Sequence, residues 1–100
     1  MKLVIKDSKT KGKRFVAIFT DDKGKEKRVN FGLKNPKIGT YIDHGDKTIR
    51  KNYIARHEVR EKKFYKDPMR AATLSRFILW GDSKSLKQNI EDYKTKYNLS

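Results

Sequence analysis

The sequence predicts an α+β domain, a small three-stranded antiparallel sheet (a meander) followed by three helices, and three observations carry that prediction. Runs of β-branched and aromatic residues are confined to the first third of the chain. A connection with Pro36 and Gly39, LKNPKIGT at 33–40, follows them. Beyond residue 45 the apolar residues recur at helical spacing behind capping residues. One hundred residues with 35% hydrophobic content suit a single domain over 1–100, with a basic sheet half at 1–34 and a helical half at 45–98.

Leu3-Val4-Ile5 is a short β-prone run. RFVAIFT at 14–20 is a strong one, since five of its seven residues are β-branched or aromatic. Asp21-Asp22-Lys23-Gly24 supplies turn chemistry, and KRVNF at 27–31 then alternates polar and apolar side chains, placing Val29 and Phe31 on one face. Between the first two strands lies SKTKGK, a loop of small and basic residues.

Asp46 is a candidate N-cap for a first helix, along which Ile49, Tyr53, Ile54 and His57 share one side and Arg50, Lys51, Arg56 and Arg60 lie mostly elsewhere. Asp67-Pro68 and Gly81 punctuate a second helix over 68–80, apolar on nearly all sides and central to the core. Within it Arg76 must pair with a carboxylate or reach the surface; a structural pair is favoured, with Asp67, Asp43 and Asp82 as the candidates. Ser85 and Gln88 form a capping-box pattern ahead of a third helix with the stripe Leu86, Ile90, Tyr93, Tyr97.

The charge is the strongest functional signal. Lys and Arg total 26 against 12 Asp and Glu, a net +14. Residues 1–40 hold 12 bases and 4 acids, 41–66 hold 8 and 4, and 67–100 hold 6 and 4. Such a field attracts polyanions, nucleic acid first, and the sheet half is the expected contact region. The residues assigned to phosphate contact are Lys9, Lys11, Lys13 and Arg14 in and after the first loop, Lys23, Lys25, Lys27 and Arg28 around the hairpin turn, and Arg50 and Lys51 on the first helix. Phe15, Phe19 and Phe31 could stack unpaired bases, but burial is favoured for three strands with a small core.

Catalytic templates are absent: no cysteine, no dinucleotide-binding or phosphate-loop glycine pattern, and no nucleophile elbow. Asp43, His44 and Asp46, helped by His57, are the one candidate metal set, as in a small metal-dependent nuclease. His57 stands thirteen residues after His44, more than three helical turns. A cap at Asp43 or Asp46, with His44 in a turn or packed, competes with the metal site and is preferred. The expectation is a non-enzymatic protein without cofactor or metal. No apolar run approaches the roughly 18–20 residues of a membrane span, and MKLVIKDSK is too short and charged for a signal peptide, so an intracellular, soluble chain is expected.

TYIDHGD at 40–46, NYIARH at 52–57, Asp67-Pro68, LSRFILWGDS at 74–83 and SLKQNIEDYKTKYNL at 85–99 together resemble a family of small, basic, largely uncharacterised proteins of large nucleocytoplasmic DNA viruses, the giant viruses of amoebae and algae. The family pattern has a Gly/Ala-type segment before the Leu-Ser-Arg unit and tryptophan after its arginine. Here Met69-Arg70-Ala71-Ala72-Thr73 and Phe77 stand instead. The resemblance implies a viral origin and a location in the infected host cell or virion, and it carries over no activity and no catalytic residue. A viral DNA genome must be neutralised, so it favours sequence-nonspecific binding or compaction of double-stranded DNA. A structural virion or assembly protein whose basic face docks an acidic surface of viral structural proteins is the alternative, and the metal nuclease the second alternative.

Overall fold

The computed structural model describes residues 1–34 and 37–100. Strands β1 (Lys2–Asp7), β2 (Lys13–Thr20) and β3 (Glu26–Leu33) form an antiparallel sheet in the order β1-β2-β3. Leu3 faces Phe19 and Ile5 faces Ala17 across the first pair, while Phe15 faces Phe31 and Ala17 faces Val29 across the second. Side chains alternate along a strand, so this register puts Leu3, Phe15, Ala17, Phe19 and Phe31 on one face, where they enter the core. The expected burial of the three phenylalanines holds.

The four helices that follow cover that face. Besides the three expected, a single turn, α1 (Tyr41–His44), precedes Asp46. A capping box creates it: Asp43 accepts from Thr40 N–H at 2.7 Å and from Thr40 Oγ1 at 2.8 Å, and Gly45 closes it at φ +66°. Asp46 caps α2 (Lys47–Glu61) as expected, its Oδ1 accepting from the Thr48 and Ile49 amides. Pro36, expected in the connection ahead of α1, lies outside the described residues.

The expected helix over 68–80 is corrected. Pro68 and Met69 form a turn, α3 spans only Ala71–Leu74, and Ser75–Leu79 continues it as a π-helical turn in which Trp80 N–H donates to Ser75 O at 3.0 Å. The helix starts three residues late: Asp67 makes a capping bond, but a side chain distant in sequence takes the first carbonyl a helix would use. Asp67 Oδ1 accepts from Met69 N–H, and Tyr93 Oη donates to Pro68 O at 2.5 Å. The segment is nonetheless the centre of the core, with Leu74, Ile78, Leu79 and Trp80 all buried.

Ser85 caps α4 (Leu86–Lys96) by accepting from Gln88 N–H, while the Gln88 amide turns to Asp92 instead of closing the box. Buried Asn89 bonds Ile78 O, Ser83 O and Ser83 N–H and so joins α4 to the end of the π-turn. The chain end returns to the sheet, where Leu3 N–H donates to Ser100 O and Ser100 N–H to Met1 O.

Candidate nucleic-acid interface

The basic residues of the sheet half separate into two groups at opposite ends of β2. Its eight residues put those ends about 23 Å apart at a rise of about 3.3 Å per residue. At one end the loop 8–12 is braced: Ser8 Oγ bonds Asn30 at 2.5 Å, Lys13 N–H donates to Thr10 O, and Lys34 N–H donates to the carbonyl of Gly12, itself at φ +81°. Lys9, Lys11, Lys13 and Lys34 therefore gather there, with Lys6 at the adjoining end of β1. Residues 6–14 hold five bases and one acid.

At the other end, residues 21–28 hold four bases and three acids. Asp21 accepts from the Lys23 and Lys25 amides to form the turn, and Arg28 lies 3.5 Å from Glu26. Lys23, Lys25, Lys27 and Arg28 thus stand among carboxylates, and the two basic groups do not merge.

Two of the three arginines of the expected contact set, Arg14 and Arg50, tie elements of the fold together. Arg14 grips Asp43 with both terminal nitrogens, Nη1 to Oδ2 at 2.8 Å and Nη2 to Oδ1 at 2.7 Å, tying β2 to α1. Hydrogen bonds from Arg14, ahead of those from Thr40 and against the effect of burial, hold the Asp43 carboxyl well below the usual carboxylate range. Arg50 donates from Nε to Gly81 O at 2.9 Å and from Nη2 to Asp82 at 2.8 Å, with its guanidinium 5.4 Å from the Tyr41 ring centre. Lys51 is exposed, but it lies about 140° around α2 from Arg56 at 100° per residue.

Arg76 requires a correction. The three carboxylates expected for it belong to other arginines: Asp43 to Arg14, Asp82 to Arg50, Asp67 to Arg70. Arg76 Nη1 instead donates to Trp80 O at 3.1 Å, and its guanidinium lies 4.7 Å from the Phe77 ring centre. Burial, with Arg50 nearby, lowers its pKa.

Each member of the candidate metal set has a structural task. His44 Nδ1 accepts from Asp46 N–H at 2.9 Å, and its ring packs edge-on against Trp80 at 5.6 Å. Asp43 and Asp46 are caps, and His57 Nδ1 is 3.4 Å from Glu61 Oε1. Among the described residues no group of three or more His, Cys, Asp or Glu could hold a metal ion.

Sequence reasoning did not assign Lys6, Lys34 or Arg60 to contact, and it weighed Arg56 for a phosphate contact without keeping it in the assigned set. Lys34 could be found from the hairpin register, which carries β3 back alongside the first loop. Arg56 reaches the site through a cleft of about 470 Å³ between β3, α2 and α3, whose lining includes Lys13, Arg56, His57, Glu61 and Trp80. Lys13, the first residue of β2, and α2 both line it. Along its wall His57, Tyr53 and Trp80 stack in a row, with ring centres 4.0 Å apart at each step. Burial raises the pKa of the Tyr53 hydroxyl.

A model of the family of unknown function DUF5754 matches residues 3–57. The match takes in the sheet, α1 and most of α2. It overlaps only at 40–57 the stretches that carry the resemblance seen in the sequence. No curated protein and no solved structure matches the chain.

Proposed function

We propose, for a chain that belongs to the DUF5754 family of unknown function, that it binds nucleic acid without sequence preference and without catalysis, double-stranded DNA in the first place. The observation that carries this reading is the lysine group at the loop end of the sheet. Lys9, Lys11, Lys13 and Lys34 stand at one end of the sheet, where Lys13 shares a cleft with Arg56, and none of the five makes an ion pair among the described residues. Unpaired cations grouped on a braced loop release counterions from phosphates without first breaking internal contacts. The far turn, Lys23 to Arg28, contributes less because Asp21, Asp22 and Glu26 offset it.

The viral origin implied by the sequence resemblance belongs to the same reading, since a DNA genome in an infected cell or virion is a polyanion of the required kind. No helix among the described residues is long and apolar enough to cross a membrane. Engagement of about six phosphates makes affinity for a short duplex fall roughly a thousandfold between about 50 and 200 mM salt. Replacing Lys9, Lys11 and Lys34 together by glutamine reduces the salt slope by about 2.7, whereas the same change at Lys23, Lys25 and Lys27 moves it less. A flat salt response in the unaltered protein refutes the proposal.

A second reading, docking on an acidic surface of a viral structural protein, is favoured by Val59, 86% exposed on α2 next to Arg60 and three residues after Arg56. Crosslinks to protein without crosslinks to DNA in the native assembly would decide for it.

A further inference from the structure

We propose that the cleft between β3, α2 and α3 holds one unpaired nucleotide, its base stacked on His57 and its phosphate between Lys13 and Arg56. The inference rests on the nucleic-acid reading above and adds to it a preference for duplexes that carry an unpaired base.

Size is the first argument. At about 470 Å³ the cleft lies within the roughly 300–1,000 Å³ that small-molecule sites occupy. The lining opposite the aromatic wall is small, Ala71 and Ala72 from α3 and Ser75 from the π-turn after it.

The wall is the second argument. Tyr53 has near-parallel neighbours at 4.0 Å in both His57 and Trp80, so its two faces are taken and the row ends at His57. The outer face of His57, a part-exposed ring, extends the stack into the cleft. A base placed there continues a column of π-faces, a contact that any base can make. Phe31 and Leu79 add apolar lining below.

Charge is the third. Lys13 and Arg56 both border the opening, from opposite elements, and neither is ion-paired among the described residues. The one carboxylate in the lining, Glu61, lies against His57. Two cations against one carboxylate favour an anionic group at the rim, and a carboxylate can accept from a base amino group inside. An aromatic platform, an acceptor and two phosphate-directed cations within one cleft match a nucleotide. The other described cavities lack an aromatic stack: one borders Asp7, Arg14, Lys34 and Asp43, and the other borders Phe77 and Tyr93, whose rings do not stack on each other, with Arg76, Asp82, Asp92 and Lys96.

The test compares a fully paired duplex with the same duplex carrying a one-nucleotide bulge of 2-aminopurine, at one salt concentration. The bulged duplex is expected to bind about tenfold more tightly, with 2-aminopurine fluorescence quenched in the complex. His57→Ala removes the platform and Ala72→Leu fills the space. Each is expected to bring the bulge preference below about twofold and abolish the quenching, while affinity for the paired duplex, which also reports folding, stays within about threefold. Equal affinity of the unaltered protein for both duplexes, together with a steep salt dependence, overturns the cleft assignment and leaves the nucleic-acid reading intact. A bulge preference that survives both substitutions overturns it as well. Failure to bind either duplex removes both proposals.

Discussion

Arg14 and Asp43 offer a perturbation whose size and pH dependence both follow from the geometry. Arg14→Ala removes two charge-assisted hydrogen bonds of 2.7 and 2.8 Å and a longer one of 3.3 Å to Thr40 Oγ1, leaving Asp43 to its capping bonds. In a buried setting such bonds are worth about 1.5–3 kcal/mol each, but the side chains are 24% and 36% exposed. Solvent screening moves the pair toward the surface range of about 0–1 kcal/mol. A bidentate, third-exposed pair falls between, at about 1.5 kcal/mol, or about 6–12 °C in Tm for a domain of this size.

The sign in pH follows from the lowered acidity of Asp43. A carboxylate that binds its proton less readily when folded contributes stability fully above its unfolded pKa, about 4. That contribution is lost as pH falls below this value toward the folded one. The gap between unaltered protein and Arg14→Ala is therefore widest near neutral pH and narrows at acid pH, where Asp43 of the variant, held by Thr40 alone, takes up its proton first. Urea midpoints at about pH 7, 4 and 2.5 measure it. A gap that is absent at neutral pH, or that widens on acidification, refutes the assignment of Arg14 to this bridge. A salt slope of DNA binding reduced by about 0.9 in the variant returns Arg14 to the phosphate contacts.

Two further substitutions probe the junction of the π-turn with α4. Asn89→Leu leaves Ile78 O, Ser83 O and Ser83 N–H without partners in a buried site, which is expected to destabilise by about 3 kcal/mol in thermal or urea melts; a loss below about 1 kcal/mol would contradict the role given to this side chain. Gly81→Ala places a Cβ against Phe77 O and 2.6 Å from Asn89 Cγ, so a loss of about 2–3 kcal/mol is expected, and a variant as stable as the original would mean that the turn yields more readily than its packing indicates.

The architecture was legible where local chemistry and burial agree. Strands rich in β-branched and aromatic residues, the cap at Asp46 and the stripe of α4 each satisfy their own backbone and point to one core, and all formed as expected. The misreadings come from partners distant in sequence. Nothing near Pro68 reveals that Tyr93, twenty-five residues on, takes its carbonyl, and that bond helps displace the start of α3. Likewise the competition for Asp43, Asp67 and Asp82 is settled by tertiary placement, so the pairing of Arg76 could not be read from spacing. The cleft was invisible for the same reason, since Lys13 and Arg56 meet only after the sheet and α2 pack.

The two cation types divide the labour. Seven arginines and nineteen lysines share the positive charge, yet every described ion pair with a Lys or Arg cation uses an arginine. The guanidinium fork grips one carboxylate with two nitrogens, as Arg14 does, or a carboxylate and a carbonyl together, as Arg50 does, and so fixes one element on another. The ammonium group is a strongly hydrated point charge on a flexible stem, poorly suited to that task and well suited to exchanging small counterions for phosphates. An inventory of basic residues therefore overstates the contact set wherever it counts a bridging arginine and understates it wherever a lysine such as Lys34 arrives by register. Along this chain net charge points to the class of partner, while the pairing state of each cation decides which residues can meet it.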